Sequence, residues 1–252
     1  ALAGSSLTAI ESSLALPTAT ALVDMDADGA LDVVCALGAT IKWSRADASV
    51  AAGFAPLATL ATFSANVGAV VVAPARHPLL VSLFFGSNDG KVWHLSRGHG
   101  DAGFAIVELT GVPSGGQVFA LAVLPSHDLA VLRLSASGLH LELVVVPDGG
   151  TPMVVDRRAA AAPRRGLVAA LPEFGAFAVA SQTSGDLRVY HSGPAPGFRR
   201  SQADAYPLGC FGLVALDAVD LDRDSVTDLV YACASRPAVA WLRAVAPRRF
   251  RA

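Results

Sequence analysis

The sequence predicts an all-β chain built from five repeats of a four-stranded antiparallel unit, and three observations carry that prediction. An apolar run ends at a fixed mark five times: "ATALVD" at Asp24, "AVVVAP" at Pro74, "ALAVLP" at Pro125, "LVAALP" at Pro172 and "LDAVD" at Asp220, spaced 50, 51, 47 and 48 residues apart. After each mark come a second short apolar run and an alternating third run: "ATIKWSR", "KVWHLSR", "LHLELVV", "DLRVYHS" and "AVAWLRA". No stretch shows the sustained i, i+3, i+4 apolar pattern of a helix, whereas alternation at period two marks half-buried strands.

The elements follow in order. The first run of each repeat is a strand on which the mark imposes a turn. The second is a short, nearly continuous apolar strand. The third carries a large residue, read as Trp43, Trp93, Leu143, Tyr190 and Trp241. A fourth segment opens at Phe54, Phe104, Met153, Phe198 and Phe250, mostly behind a turn glycine. Four short strands in a period near 50 residues are the pattern of a β-propeller blade. Blades are expected at about residues 18–62, 63–112, 113–160, 161–207 and 208–252. The fifth repeat ends near Phe250, before a fourth strand, and "SSLTAIESSLALP" upstream of the first repeat resembles the missing piece. Residues 5–17 are therefore expected to complete the last blade, removing an open sheet edge.

Bulk properties exclude several functions. The 252 residues carry a net charge of −2 with 16% charged residues, which leaves no electrostatic footprint for nucleic acid. Hydrophobic content is 53%, but Pro74, Arg76, His77 and Pro78 interrupt the longest apolar region, so no membrane insertion is expected. Much of the hydropathy is alanine, read here as compositional bias. Three cysteines, Cys35, Cys210 and Cys233, leave the pairing open.

Charge is concentrated at two places. In "VDMDADGALDVV", Asp24, Asp26, Asp28 and Asp32 stand at loop positions 1, 3, 5 and 9, with Gly29 at position 6. Such crowding costs roughly 1 kcal/mol per carboxylate pair at about 4 Å in water, and more when partly buried. A hard cation offsets it: calcium takes six to eight oxygens, side chains at alternate positions converge, and a carbonyl, here that of Ala30, fills position 7. Position 12 is Cys35 and the flanks are strands, so the helical version of this loop is not expected. "DLDRDSVTD" repeats the spacing with Asp220, Asp222, Asp224 and Asp228, with Val226 offering the carbonyl and Ser225 in place of the glycine. The middle repeats have Pro74, Pro125 and Pro172 at the first-ligand position, and no metal is expected there.

DxDxDGxxD between two apolar strands, on blades with a Gly-Phe turn, resembles the FG-GAP/VCBS repeat. That family includes the propeller heads of integrin α-chains and secreted lectins and adhesins. The resemblance is specific in Asp24–Asp32 and Asp220–Asp228 and architectural elsewhere. It implies two Ca²⁺ sites and a binding or adhesive role without catalysis.

Other constellations are weaker. His94, His99 and Asp101 lack metal-site spacing, and no GxSxG or Walker A motif is present. Glu108, Glu142 and Glu173 fall on different strand types, against the carboxylate pair of a glycosidase. The recurring aromatics read as inter-blade core, the alternative being sugar-stacking pockets. The arginines of 156–165 and 247–252 read as rim solvation.

The expected function is a non-enzymatic, extracellular calcium-binding propeller for adhesion or self-assembly, with other copies of itself or an extracellular protein or glycan as partner. A lectin-like propeller is the alternative. A chain beginning at Ala1 fits removal of a leader, and millimolar extracellular calcium suits loops of this kind.

Overall fold

The computed structural model describes residues 17–49, 53–74, 81–97, 103–159, 166–181, 185–192, 198–210, 212–246 and 249–251. Among them, five four-stranded sheets follow one another along the chain. Blade 1 is β1 (Ala19–Val23), β2 (Asp32–Leu37), β3 (Thr40–Ser44) and β4 (Ala58–Thr62). Blade 2 is β5 (Val67–Val72), β6 (Ser82–Ser87), β7 (Val92–Arg97) and β8 (Phe104–Glu108). Blade 3 is β9 (Val118–Val123), β10 (Leu129–Leu134), β11 (His140–Val146) and β12 (Met153–Ala159). Blade 4 is β13 (Gly166–Leu171), β14 (Ala176–Ser181), β15 (Asp186–Ser192) and β16 (Phe198–Pro207). Blade 5 is β17 (Leu213–Val219), β18 (Asp228–Cys233), β19 (Arg236–Ala246) and β20 (Arg249–Arg251). Every pairing is antiparallel between consecutive strands, the arrangement of a five-bladed β-propeller.

The first strand of each blade is innermost. Val67, Val118, Gly166 and Val214 of β5, β9, β13 and β17, with Thr18 at the head of β1, line one central cavity of about 390 Å³. Small residues suit this crowded middle. A Cβ on Gly86 would stand 2.3 Å from Val118 Cγ1, so nothing larger than glycine fits against β9. The alanines have a packing role of the same kind: Ala36, Ala130, Ala176, Ala178 and Ala180 are fully buried on second strands.

Four buried apolar clusters lie between consecutive blades. Val34, Ile41, Leu83 and Phe85 belong to the cluster between blades 1 and 2. Phe84, Val92, Leu129 and Val144 join blades 2 and 3. Leu132, Leu143, Phe177 and Tyr190 join blades 3 and 4. Leu187, Val189, Leu229 and Leu242 join blades 4 and 5. Among the described residues no such cluster joins blade 5 to blade 1. The junction of blades 3 and 4 also holds a buried polar group. Asp156 accepts from Arg158 Nε at 2.7 Å and from the Tyr190 hydroxyl, and Arg158 also bonds that hydroxyl. Burial pushes the Tyr190 phenol above its ordinary range, and its hydrogen bond to Asp156 adds to the rise. Arg157 reaches back to Glu142 at 2.7 Å. Arg157 and Arg158 thus bind buried carboxylates rather than simply solvating a rim, a correction that only the strand pairing could supply.

Register also corrects the repeat of large residues. Asp32 pairs with Val23 at the end of β1, and Ser82 stands in the same place opposite Ala73. Two residues on, Val34 faces Trp43 and Phe84 faces His94. By the same count Trp43 corresponds to Val145, Val189 and Trp241 in blades 3, 4 and 5. Trp93 and Tyr190 stand one place away and face the preceding core instead, while Leu143 stands two places away on the same face as Val145; Trp93 and Trp43 fill the cluster between blades 1 and 2 from opposite sides.

The fifth blade differs from expectation in having a short fourth strand of its own. Phe250 in β20 pairs with Ala244, as Phe54 bridges to Ala46 in blade 1. Among the described residues β20 reaches only Arg243–Ala246 of β19, whereas β4 covers Thr40–Trp43 of β3. The segment 5–17, expected at the last blade, lies outside the described residues apart from Pro17. Cys210 and Cys233 form a disulfide with Cα atoms 6.2 Å apart, and Cys35 is buried in β2.

Candidate metal loops

Both acid loops join the first and second strands of their blades, on the same end of the propeller. In the first, Asp24 accepts the backbone N–H groups of Asp28 at 3.1 Å and Gly29 at 2.9 Å. Asp28 accepts that of Ala30 at 2.9 Å. In the second, Asp220 accepts from Asp224 at 3.1 Å and Ser225 at 2.9 Å, and Asp224 from Val226 at 2.9 Å. The two turns are copies. Ala27 and Gly29 have φ of 62° and 89°, and Arg223 and Ser225 have 62° and 68°. Ser225 therefore holds a left-handed backbone that glycine adopts without strain.

These turns bring carboxylate oxygens of Asp24, Asp26 and Asp28 within 4.8 Å of one another, and likewise those of Asp220, Asp222 and Asp224. The fourth acid of each loop stands apart. Asp32 is fully buried and accepts the backbone N–H of Met25 at 3.0 Å, that of Ala46 at 2.7 Å and the Trp43 indole N–H at 3.0 Å. Asp228 is fully buried too and accepts from Leu221 at 3.2 Å and Ala244 at 2.8 Å. Asp32 thereby fastens its acid loop to Ala46 just beyond the third strand, and Asp228 fastens its loop to Ala244 near the end of β19. Asp128 makes the same tie in blade 3 by accepting from Asp148 N–H at 3.1 Å, with no acid cluster beside it among the described residues.

An arginine at the end of each third strand completes the picture, and the sequence reading passed over it. Arg45 Nε lies 2.6 Å from Asp26, and its Nη2 lies 3.1 Å from Asp28. Arg243, its counterpart, has Nη2 2.6 Å from Asp222 and 3.7 Å from Asp224. The strand pairing that places Arg45 over the loop is the signal that could have found it. Burial raises the Asp26 carboxyl above the ordinary range, with the neighbouring Asp28 and Asp32 charges adding to the rise and Arg45 opposing it. The Ala30 N–H, then Arg45, hold Asp28 below that range.

The donor set fits a hard divalent cation: three clustered carboxylates in each loop, already drawing a positive guanidinium. Each loop is anchored to a neighbouring blade. Arg97 Nη1 donates to the Met25 carbonyl at 2.8 Å, and Thr227 Oγ1 donates to Glu173 at 2.5 Å.

The remaining candidates are dispersed. Glu108 pairs with Lys91 at 2.9 Å, Glu142 with Arg157, and Glu173 with Thr227, each in a different setting. His99 and Asp101 lie outside the described residues. Trp93 and Tyr190 are buried and Trp43 is half-buried, as core residues are, whereas Trp241 is exposed and departs from that expectation.

Solved structures share the fold. The chain is similar to a protein from Lactobacillus plantarum, with TM-score 0.61, 15% identity and coverage of 93% of this chain and 69% of that one. It is similar to virginiamycin B lyase from Staphylococcus aureus, with TM-score 0.52, 12% identity and coverage of 92% and 71%. A structure of the Chaetomium thermophilum Polycomb Repressive Complex 2 bound to an inhibitor matches with TM-score 0.59 and 11% identity, over 86% of this chain and 53% of that one. The chain thus spans about half of that last protein. At such low identities the structural likeness shows the fold alone, a β-propeller. No family model and no curated protein matches the sequence.

Proposed function

We propose that this propeller is a non-enzymatic calcium-binding module that acts outside the cell in adhesion or self-assembly. The observation that carries the reading is the pair of matched acid loops, alike in backbone conformation, hydrogen bonding and attendant arginine, on the first and last blades. Asp24, Asp26 and Asp28 would hold one ion and Asp220, Asp222 and Asp224 the other, with the Ala30 and Val226 carbonyls as further ligands and Asp32 and Asp228 fixing the loops from behind. A bound ion would brace each loop and neutralise its carboxylates. The FG-GAP/VCBS resemblance of these loops supports the same reading. The Cys210–Cys233 disulfide supports an oxidising compartment, where free calcium is abundant enough for loops of this class.

Light scattering in millimolar calcium, and again after chelation, tests the reading. A calcium-dependent rise in mass is expected, together with two equivalents of bound calcium by titration calorimetry. Absence of calcium binding would overturn the metal assignment. A 26 kDa particle in both conditions (25.7 kDa by composition) would overturn self-assembly.

A further inference from the structure

The repeated cores are not equally filled. Between blades 1 and 2 the Trp43 indole meets Phe104 edge to face at 5.8 Å, and Met25 is fully buried beside them. The next junction carries a cavity of about 360 Å³, bounded by Ser82, Phe84 and His94 of blade 2 and by Leu129, Val146 and Asp148 of blade 3. Its cause lies in the register. His94 occupies the place of Trp43 and lies nearly flat on Phe84, with centroids 4.7 Å apart and planes 18° apart. Met153, which opens the fourth strand of blade 3, packs into the core between blades 3 and 4. In the second junction the indole is therefore replaced by a smaller imidazole, and the Phe104 ring by a methionine that packs elsewhere.

Ser82 Oγ and His94 Nε2 are 2.7 Å apart. The pair resembles the start of a nucleophile and base, but its position gives another meaning. Asp32 and Trp43 make the same cross-strand bond at 3.0 Å in blade 1. The Ser82–His94 bond is the blade 2 version of that brace, and here it forms one polar edge of a mostly apolar cavity that Arg97, His127 and Asp148 also border.

We propose that this cavity is a binding site for a small, neutral aromatic molecule of one or two fused rings bearing a single N–H or O–H group. Aromaticity follows from what fills the equivalent space one blade earlier. The polar group follows from the Ser82–His94 edge, and because Arg97 and Asp148 both line the cavity their opposite charges favour neither an anion nor a cation, which leaves a neutral ligand. Size permits it: an apolar cavity of about 150 Å³ suffices for benzene, and small-molecule sites begin near 300 Å³. The site requires neither bound metal nor assembly, so it stands or falls apart from the calcium reading.

Saturation-transfer NMR and calorimetry with indole and phenol test it on the full chain. Both probes are expected to bind the wild type. His94→Trp, which restores the blade 1 filling, is expected to abolish binding, and Leu129→Phe fills the cavity from the opposite wall should the first variant fail to fold. Ser82→Ala should weaken indole roughly fivefold, the worth of one hydrogen bond. No saturation transfer to either probe on the wild type, or transfer that persists unchanged in a folded filling variant, would overturn the proposal.

Discussion

Blades 1 and 5 carry the same loop in opposite surroundings. Met25, Ile41 and Trp43 of blade 1 correspond to Leu221, Val239 and Trp241 of blade 5. Ile41 is 0% exposed and Val239 is 73% exposed; Met25 is 0% exposed and Leu221 is 49% exposed. Side-chain chemistry and strand position are nearly the same in the two blades. The difference lies in what stands across from them. Blade 1 presents these residues to the cluster it shares with blade 2, and among the described residues blade 5 has no such cluster with blade 1. Burial in a repeat fold is a property of the junction, since each blade contributes only half of every core.

The largest expected effect tests this contrast directly. Ile41→Ala should cost about 2–5 kcal/mol in chemical unfolding, as truncation of a fully buried side chain does, whereas Val239→Ala should cost under about 1 kcal/mol. Equal losses would mean that Val239 is covered in solution and that the junction of blades 5 and 1 is filled.

The buried acids come next. Asp32→Ala strands three donors, those of Met25, Ala46 and Trp43, while Asp228→Ala strands two. At about 1 kcal/mol or more per orphaned donor, Asp32→Ala should be the more damaging by roughly that amount in denaturant midpoints. The same order, with calcium still bound by the remaining three acids, would show that these carboxylates act as fasteners.

A smaller difference lies at position 6 of the loops. Ser225 bears a φ of 68° that Gly29 bears freely. Ser225→Gly should stabilise the protein by about 1 kcal/mol and tighten the second calcium site toward the first, as read by calorimetry. Gly29→Ser should do the reverse.

The smallest effect is one of pH. Asp28 is held below the ordinary carboxylate range, so its contribution is present above the unfolded-chain value of 3.8 and is lost as pH falls through the lower folded value. Asp26 is raised, so its contribution has the opposite sign and is lost as pH rises through the folded value. Asp28→Asn should therefore flatten the acid limb of a thermal-midpoint profile, and Asp26→Asn should raise stability at neutral pH without calcium. A profile indifferent to both substitutions would remove the loop carboxylates from the pH dependence.

Much of this was legible in the chain. The alternation and the five marks near 50-residue spacing determined the strands and the blade count, because a strand's hydrogen-bonded neighbour in each sheet is its neighbour in sequence. The acid loops were legible for the same reason: each carboxylate that shapes them is bonded to an N–H within five residues, so nine consecutive residues contain the whole turn. Contacts made across a hairpin or a junction were not. Arg45 reaches Asp26 and Asp28 only through the pairing of β2 with β3, and the indole place passes to His94 in blade 2 through a one-residue difference in register that the string of letters does not display. Tertiary structure alone decided that Cys210 meets Cys233, that Asp32 and Asp228 face inward, and that a cavity remains between blades 2 and 3. The sequence by itself determined the blades and their loops, since both are built from local bonds. What fills the space between blades depends on two surfaces remote in sequence, and only their meeting settles it.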